Sequence, residues 1–168
     1  MKKIITLFLL SIFLVNGCNP VNDKEMYDSA KKNLDDKKYN EAVGGFEKLA
    51  VENPESKFAA KGLLECARLY HNSIIPDIDK PVSLSKALGY YKRVFNNYPQ
   101  DSTAELSLFL TGFIFSNDLG QMDSARTYYE LFMKKYPKSQ FANSVRLELD
   151  NLGLTPDEIL EKKLKSNQ

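Results

Sequence analysis

The feature that most constrains this chain is a block that occurs three times with the same internal spacing. In each copy an alanine is followed four residues on by an aromatic residue, seven on by another apolar residue and twelve on by a proline. The copies are Ala42, Phe46, Leu49 and Pro54; Ala87, Tyr91, Val94 and Pro99; and Ala125, Tyr129, Phe132 and Pro137. Ala87 lies 45 residues after Ala42, and Ala125 lies 38 after Ala87, so length varies between blocks and never inside them. A period in this range marks stacked supersecondary units, none of which buries its apolar face alone.

Offsets of four and seven place the three apolar side chains of a block on one helix face. The proline closes that helix, because it has no N–H to continue the ladder and disfavours a helical residue before it. Ser56, Ser102 and Ser139 follow the prolines and are expected to cap the next helix by accepting from a free backbone N–H. A partner helix is predicted upstream of each block, over about 23–37, 57–72 and 103–117. Each carries a small residue, Ala30, Ala67 or Gly112, expected to face Ala42, Ala87 or Ala125 so that the two axes approach closely. The second unit holds an insertion within 72–83 containing Pro76 and Pro81, and the third carries one extra residue before Met122. A seventh helix is predicted over 139–151. Thr155-Pro156-Asp157-Glu158 then has the form of a capping box opening a last short helix.

These positions resemble the tetratricopeptide repeat (TPR). Ala30, Tyr39, Ala42, Phe46 and Pro54 match its signature in the first unit, with Ala67, Tyr70, Ala87, Tyr91 and Pro99 in the second and Gly112, Phe115, Ala125, Tyr129 and Pro137 in the third. The run Tyr136-Pro-Lys-Ser-Gln-Phe-Ala142 is similar to the subgroup found in outer-membrane lipoproteins of the BamD type and periplasmic proteins of the YbgF (CpoB) type. The resemblance implies an all-α fold: a right-handed superhelical solenoid of about three helix pairs plus C-terminal capping helices. On this reading 23–152 is the solenoid and 153–168 a short helix and tail. Lys162, Lys163 and Lys165 in that tail suit either a solvated helix terminus or a basic docking segment.

The N-terminus reads as a targeting signal. Lys2 and Lys3 precede an almost wholly apolar run from Ile4 to Val15, too short for a permanent membrane span of about 20 residues. The run ends in Val15-Asn16-Gly17-Cys18, which resembles the lipobox of bacterial lipoproteins. The resemblance implies a signal peptide over 1–17, lipidation of Cys18 and a short tether over 18–22. Asn19 is not the Asp that retains enteric lipoproteins in the inner membrane, so the implied address is the outer membrane, facing the periplasm. Cys66 is then the one remaining thiol, and its neighbours Leu63, Leu64 and Leu69 predict a small core residue rather than a reactive one.

Composition narrows the function classes. The chain has 23 Lys and Arg against 22 Asp and Glu over 168 residues, without the basic excess of a nucleic-acid binder. A single histidine, His71, and two cysteines offer no metal set. Phosphate-loop and nucleophile-elbow motifs are absent, so the expectation is a non-enzyme without a cofactor. The TPR resemblance implies a concave groove for extended or helical peptides, lined by each unit's first helix. Its candidates are Tyr27 and Lys31 in the first unit, Lys61, Leu64, Arg68 and His71 in the second, and Phe109, Phe113 and Ser116 in the third. Aromatic anchors beside cations suit a peptide with apolar side chains and a carboxylate, or else these aromatics pack between units. The function expected is a lipid-anchored adaptor for protein partners in outer-membrane assembly or envelope maintenance. The alternative is a cell-wall or small-ligand binder whose 72–83 loop, with Ile74, Ile75 and Ile78, closes over its ligand.

Overall fold

The computed structural model describes residues 22–166. The expectations for the signal segment 1–17 and for Cys18 lie outside the described residues. Eight α-helices follow one another: α1 Asp23–Asp35, α2 Tyr39–Glu52, α3 Ala59–His71, α4 Lys80–Asn97, α5 Ser102–Phe113, α6 Met122–Lys135, α7 Ala142–Asn151 and α8 Pro156–Ser166. A π-helical segment, Ile114–Asp118, continues α5. No strand occurs among the described residues. Helices pack as α1 with α2, α3 with α4 and α5 with α6, and each pair passes to the next through α2–α3, α4–α5 and α6–α7 contacts.

The three linkers are copies of one another. Asn53, Tyr98 and Tyr136, each directly before a proline, leave helical geometry at φ −131, −127 and −130°. Their N–H groups still close the last helical turn onto the carbonyls of Leu49, Val94 and Phe132. Ser56, Asp101 and Ser139 then donate their backbone N–H to Asn53, Tyr98 and Tyr136, and Ala59, Ala104 and Ala142 donate to Ser56, Asp101 and Ser139 in turn. The accepting side chain therefore stands two residues after the proline in every copy, but Ser56 and Ser139, expected as helix caps, close the turn ahead of α3 and α7, whose N-cap residues Phe58 and Phe141 make no side-chain cap. Ser56 Oγ accepts from Phe58 N and Ser139 Oγ from Phe141 N, both at 3.1 Å. In the middle copy Asp101 does this work, accepting from Thr103 N at 2.8 Å. Ser102, the expected cap, is instead the first residue of α5. Both serines also donate across units, Ser56 to Asp23 and Ser139 to Glu105.

The block residues form the core: Ala42, Phe46, Leu49, Ala87, Tyr91, Val94, Ala125, Tyr129 and Phe132 are all fully buried. Each large side chain buried this way contributes roughly 1.5–3 kcal/mol. In the first unit small does meet small, since a Cβ on Gly45 would lie 2.9 Å from Ala30 Cβ, whereas in the third a Cβ on Gly112 would lie 2.5 Å from the Tyr129 ring. In the third unit, then, the small residue of the first helix makes room for the aromatic residue of the second.

The insertion is short because α4 begins early. Lys80, Pro81 and Ser83 belong to α4, with Pro81 in its first turn and Ser83 Oγ donating to Tyr70 O at 2.6 Å. Ile75 is buried, Ile78 packs against the same core, and Ile74 is exposed. The extra residue of the third unit is taken up by the π segment, the geometry that one residue too many imposes on a helical turn. At the C-terminus the expected capping box is present: Thr155 N donates to Glu158 Oε2 at 2.7 Å and Glu158 N donates back to Thr155 Oγ1 at 3.3 Å.

Two glycines test this packing in opposite directions. Gly112→Ala forces a methyl group into the Tyr129 ring and is expected to destabilise by about 1–3 kcal/mol. Gly44→Ala, mid-helix with open space above it, is expected to stabilise by about 1 kcal/mol. Urea unfolding of both variants checks this, and a neutral Gly112→Ala contradicts the close approach.

Candidate functional site

Helical spacing aligns the candidate residues along the first helix of each unit. Tyr27 and Lys31 lie one turn apart on α1. Lys61, Glu65 and Arg68 follow at i, i+4 and i+7 on α3, as do Phe109, Phe113 and Ser116 through α5 and the π segment. The α3 and α5 helices touch directly, which makes these rows neighbours.

Not every candidate is available to a partner. Leu64 is 5% exposed and belongs to the core between the first two units, because its position on α3 turns it toward α2 rather than solvent. Tyr27 is half-buried, stacked on Phe58 with ring centroids 5.2 Å apart and tilted against Phe46 at 5.5 Å. Phe109 stacks on Phe141 at 5.8 Å and approaches Tyr129 and Phe132. Both rings therefore join units as well as lining the face. Phe113 is half-buried, with its edge toward His71 and Phe109 at 6.4 Å.

The cations are paired within their own helices. Lys31 Nζ lies 3.1 Å from Asp35 and Arg68 3.4 Å from Glu65, all of these groups at or near the surface. Burial raises the Tyr27 hydroxyl's pKa, and Glu65 reinforces the shift while Lys31 and Arg68 oppose it. Tyr27 thus sits within the combined field of α1 and α3. Lys61 is exposed one turn before Glu65.

His71 joins three elements. Its Nδ1 is 3.2 Å from Tyr91 Oη on α4 and its Nε2 is 3.3 Å from Asp118 Oδ2. Lys80, at the start of α4, reaches the other Asp118 oxygen at 3.2 Å. Asp118 ends the π segment, so the extra residue of the third unit delivers the carboxylate that ties that unit to the second. Asp118 and Glu65 were not among the sequence candidates. The extra residue before Met122 was the available signal for Asp118, and the i+4 spacing from Lys61 the signal for Glu65.

Ser116 lies at the far end of this face. Tyr129, buried beneath it, has a hydroxyl that makes no hydrogen bond of normal geometry. The Ser116 side chain is near enough to favour its ionised form, while burial and the Glu148 charge push its pKa up. Glu148, on α7, is itself raised above the ordinary 4.5 by burial. Elsewhere Cys66 is a fully buried free thiol. Burial raises its pKa, and its Sγ lies 3.8 Å from the Val43 carbonyl oxygen. Among the described residues no group of three or more His, Cys, Asp or Glu is placed to hold a metal ion. No described helix is long and apolar enough to cross a membrane.

A helical-pair stack with these linkers defines a TPR-containing protein. Residues 20–154 match the family model YfiO, described as outer membrane lipoprotein. The match spans most of the chain, and the chain belongs to that family of BamD-like outer-membrane lipoproteins. No curated protein matches it.

The raised pKa of Glu148 has a defined sign. The folded chain holds this proton more tightly than the unfolded chain, so stability falls as pH rises through the window just above 4.5. Glu148→Gln removes this loss. Relative to the parent protein, the variant is expected to gain stability from acid to neutral pH in a series of urea unfolding curves. A difference that stays constant across the window contradicts the assignment.

Proposed function

We propose that this lipoprotein is an adaptor, anchored through lipidated Cys18 at the periplasmic face of the outer membrane, that holds a polypeptide partner along the first-helix face. Family membership supports an envelope protein working through protein contacts. One observation supports this reading of the site: half-buried Tyr27, His71 and Phe113 share the first-helix face with the surface cations Lys31 and Arg68, which among the described residues pair with carboxylates on their own helices. Exposed pairs of this kind are worth at most about 1 kcal/mol. Lys31 and Arg68 therefore exchange Asp35 and Glu65 for a partner carboxylate at little loss, while the rings contribute apolar contact.

The competing reading uses the insertion as a lid over a small ligand. Two of its three isoleucines pack into the core, and Ser83 is tied to Tyr70, which favours the groove. Lys31→Glu and Arg68→Glu together with Phe113→Ala are expected to abolish recovery of partners in a whole-cell crosslinking pull-down. Shortening the exposed part of the 72–79 loop at Ile74 is expected to leave recovery intact. The opposite pattern supports the lid.

A further inference from the structure

A second cleft, of about 430 Å³, opens where the π segment and the start of α6 meet α7, α8 and the turn between them. Its polar groups include Ser116 and Glu148, and its apolar walls include Met122, Leu147, Leu154 and Ile159. The walls are open to solvent, with Met122 at 39%, Leu147 at 59% and Leu154 at 38% exposure. The cleft lies beyond Phe109 and Phe113, and the sequence candidates reach it only through Ser116.

One group here is left uncompensated by the fold. Glu148 is half-buried and makes no ion pair among the described residues. Lys162, the basic residue that folds back from α8, is committed to the Asp150 carbonyl at 2.6 Å. Behind the cleft, the fully buried Tyr129 hydroxyl makes no hydrogen bond of normal geometry, and the Ser116 side chain is close enough to act on it. Its polar neighbours Ser116 and Glu148 both line the cleft. A half-buried carboxylate without a cation is unfavourable, and a cationic donor relieves it.

We propose that this cleft receives a single arginine side chain presented by a partner polypeptide. The methylene stem lies on the walls formed by Met122, Leu147 and Leu154, where a long basic side chain covers apolar surface. The planar guanidinium donates to two acceptors at once, the Glu148 carboxylate and the Ser116 hydroxyl oxygen. While it accepts from the guanidinium, the Ser116 hydroxyl keeps its own proton for Tyr129 Oη. An anionic or neutral side chain leaves Glu148 unpaired. This inference goes beyond the groove reading and shares with it only the assumption that the occupant belongs to a polypeptide.

The test uses the full lipidated chain in detergent micelles, titrated with acetyl-Gly-Leu-Arg-Leu-Gly-amide and with the same peptide carrying citrulline, which keeps the shape and removes the charge. NMR shifts at the methyl groups of Met122, Leu147 and Leu154 are expected with the arginine peptide. Binding of the citrulline peptide is expected to be weaker by about tenfold or more, the usual loss for a hydrogen-bonded charge. Glu148→Gln brings the same loss for the arginine peptide. Ser116→Ala brings a smaller one of about threefold, near the low end for a neutral hydrogen bond. The Lys31→Glu, Arg68→Glu double variant leaves binding unchanged, so the two sites fail independently. Equal affinity for the two peptides, full affinity in Glu148→Gln, or shifts confined to other residues overturns the proposal.

Discussion

Proline's exclusion of a helical residue before it is the constraint on which this stack is hung. At Asn53, Tyr98 and Tyr136 the chain leaves the helix with nearly the same backbone angles, and the turn that follows is closed by the same pair of backbone hydrogen bonds. The turn delivers Ala59, Ala104 and Ala142 to buried positions at the start of the next helix. Because the joint is the same each time, each unit meets its neighbour in a similar way, and stability builds from nearest-neighbour contacts. The aromatic side chains Phe46, Tyr91 and Tyr129 fill the space that this geometry leaves.

The joints leave one side of the first helices uncovered, and the residues there follow from that exposure. Tyr27 and Phe109 are shared between packing and surface, whereas Lys31 and Arg68 lie at the surface with weakly held partners and Lys61 is exposed. The π segment matters for a different reason. It breaks the regularity of α5 where the third unit meets the second, and places Asp118 between His71 and Lys80. A rigid polar junction therefore lies in the middle of a face that is otherwise adaptable.

Much of this architecture was legible in the sequence because its causes are local. Helix period and proline act within a few residues, so the Ala–aromatic–Pro blocks, the helix order and the Thr155–Glu158 capping box could be read directly. What was missed depends on contacts between helices. Matching by residue type selected Ser102 as a cap, whereas the register fixed by the proline selects Asp101. The rotation of one helix against another decides that Gly112 yields to Tyr129 and that Leu64 turns inward, and spacing along a single helix does not report it. The lone carboxylate of Glu148 is of the same kind: its lack of a cation is visible only when α6, α7 and α8 stand together.

The sealing of Cys66 has a consequence for its redox chemistry. Thiol exchange begins with attack by a thiolate, and here burial both disfavours that species and blocks access to the sulfur. In the native molecule this cysteine is chemically silent toward oxidoreductases and glutathione alike, so no mixed adduct forms while the helices stay closed. Only a chain that has lost its packing exposes the sulfur, so reactivity at this one atom reports loss of the fold.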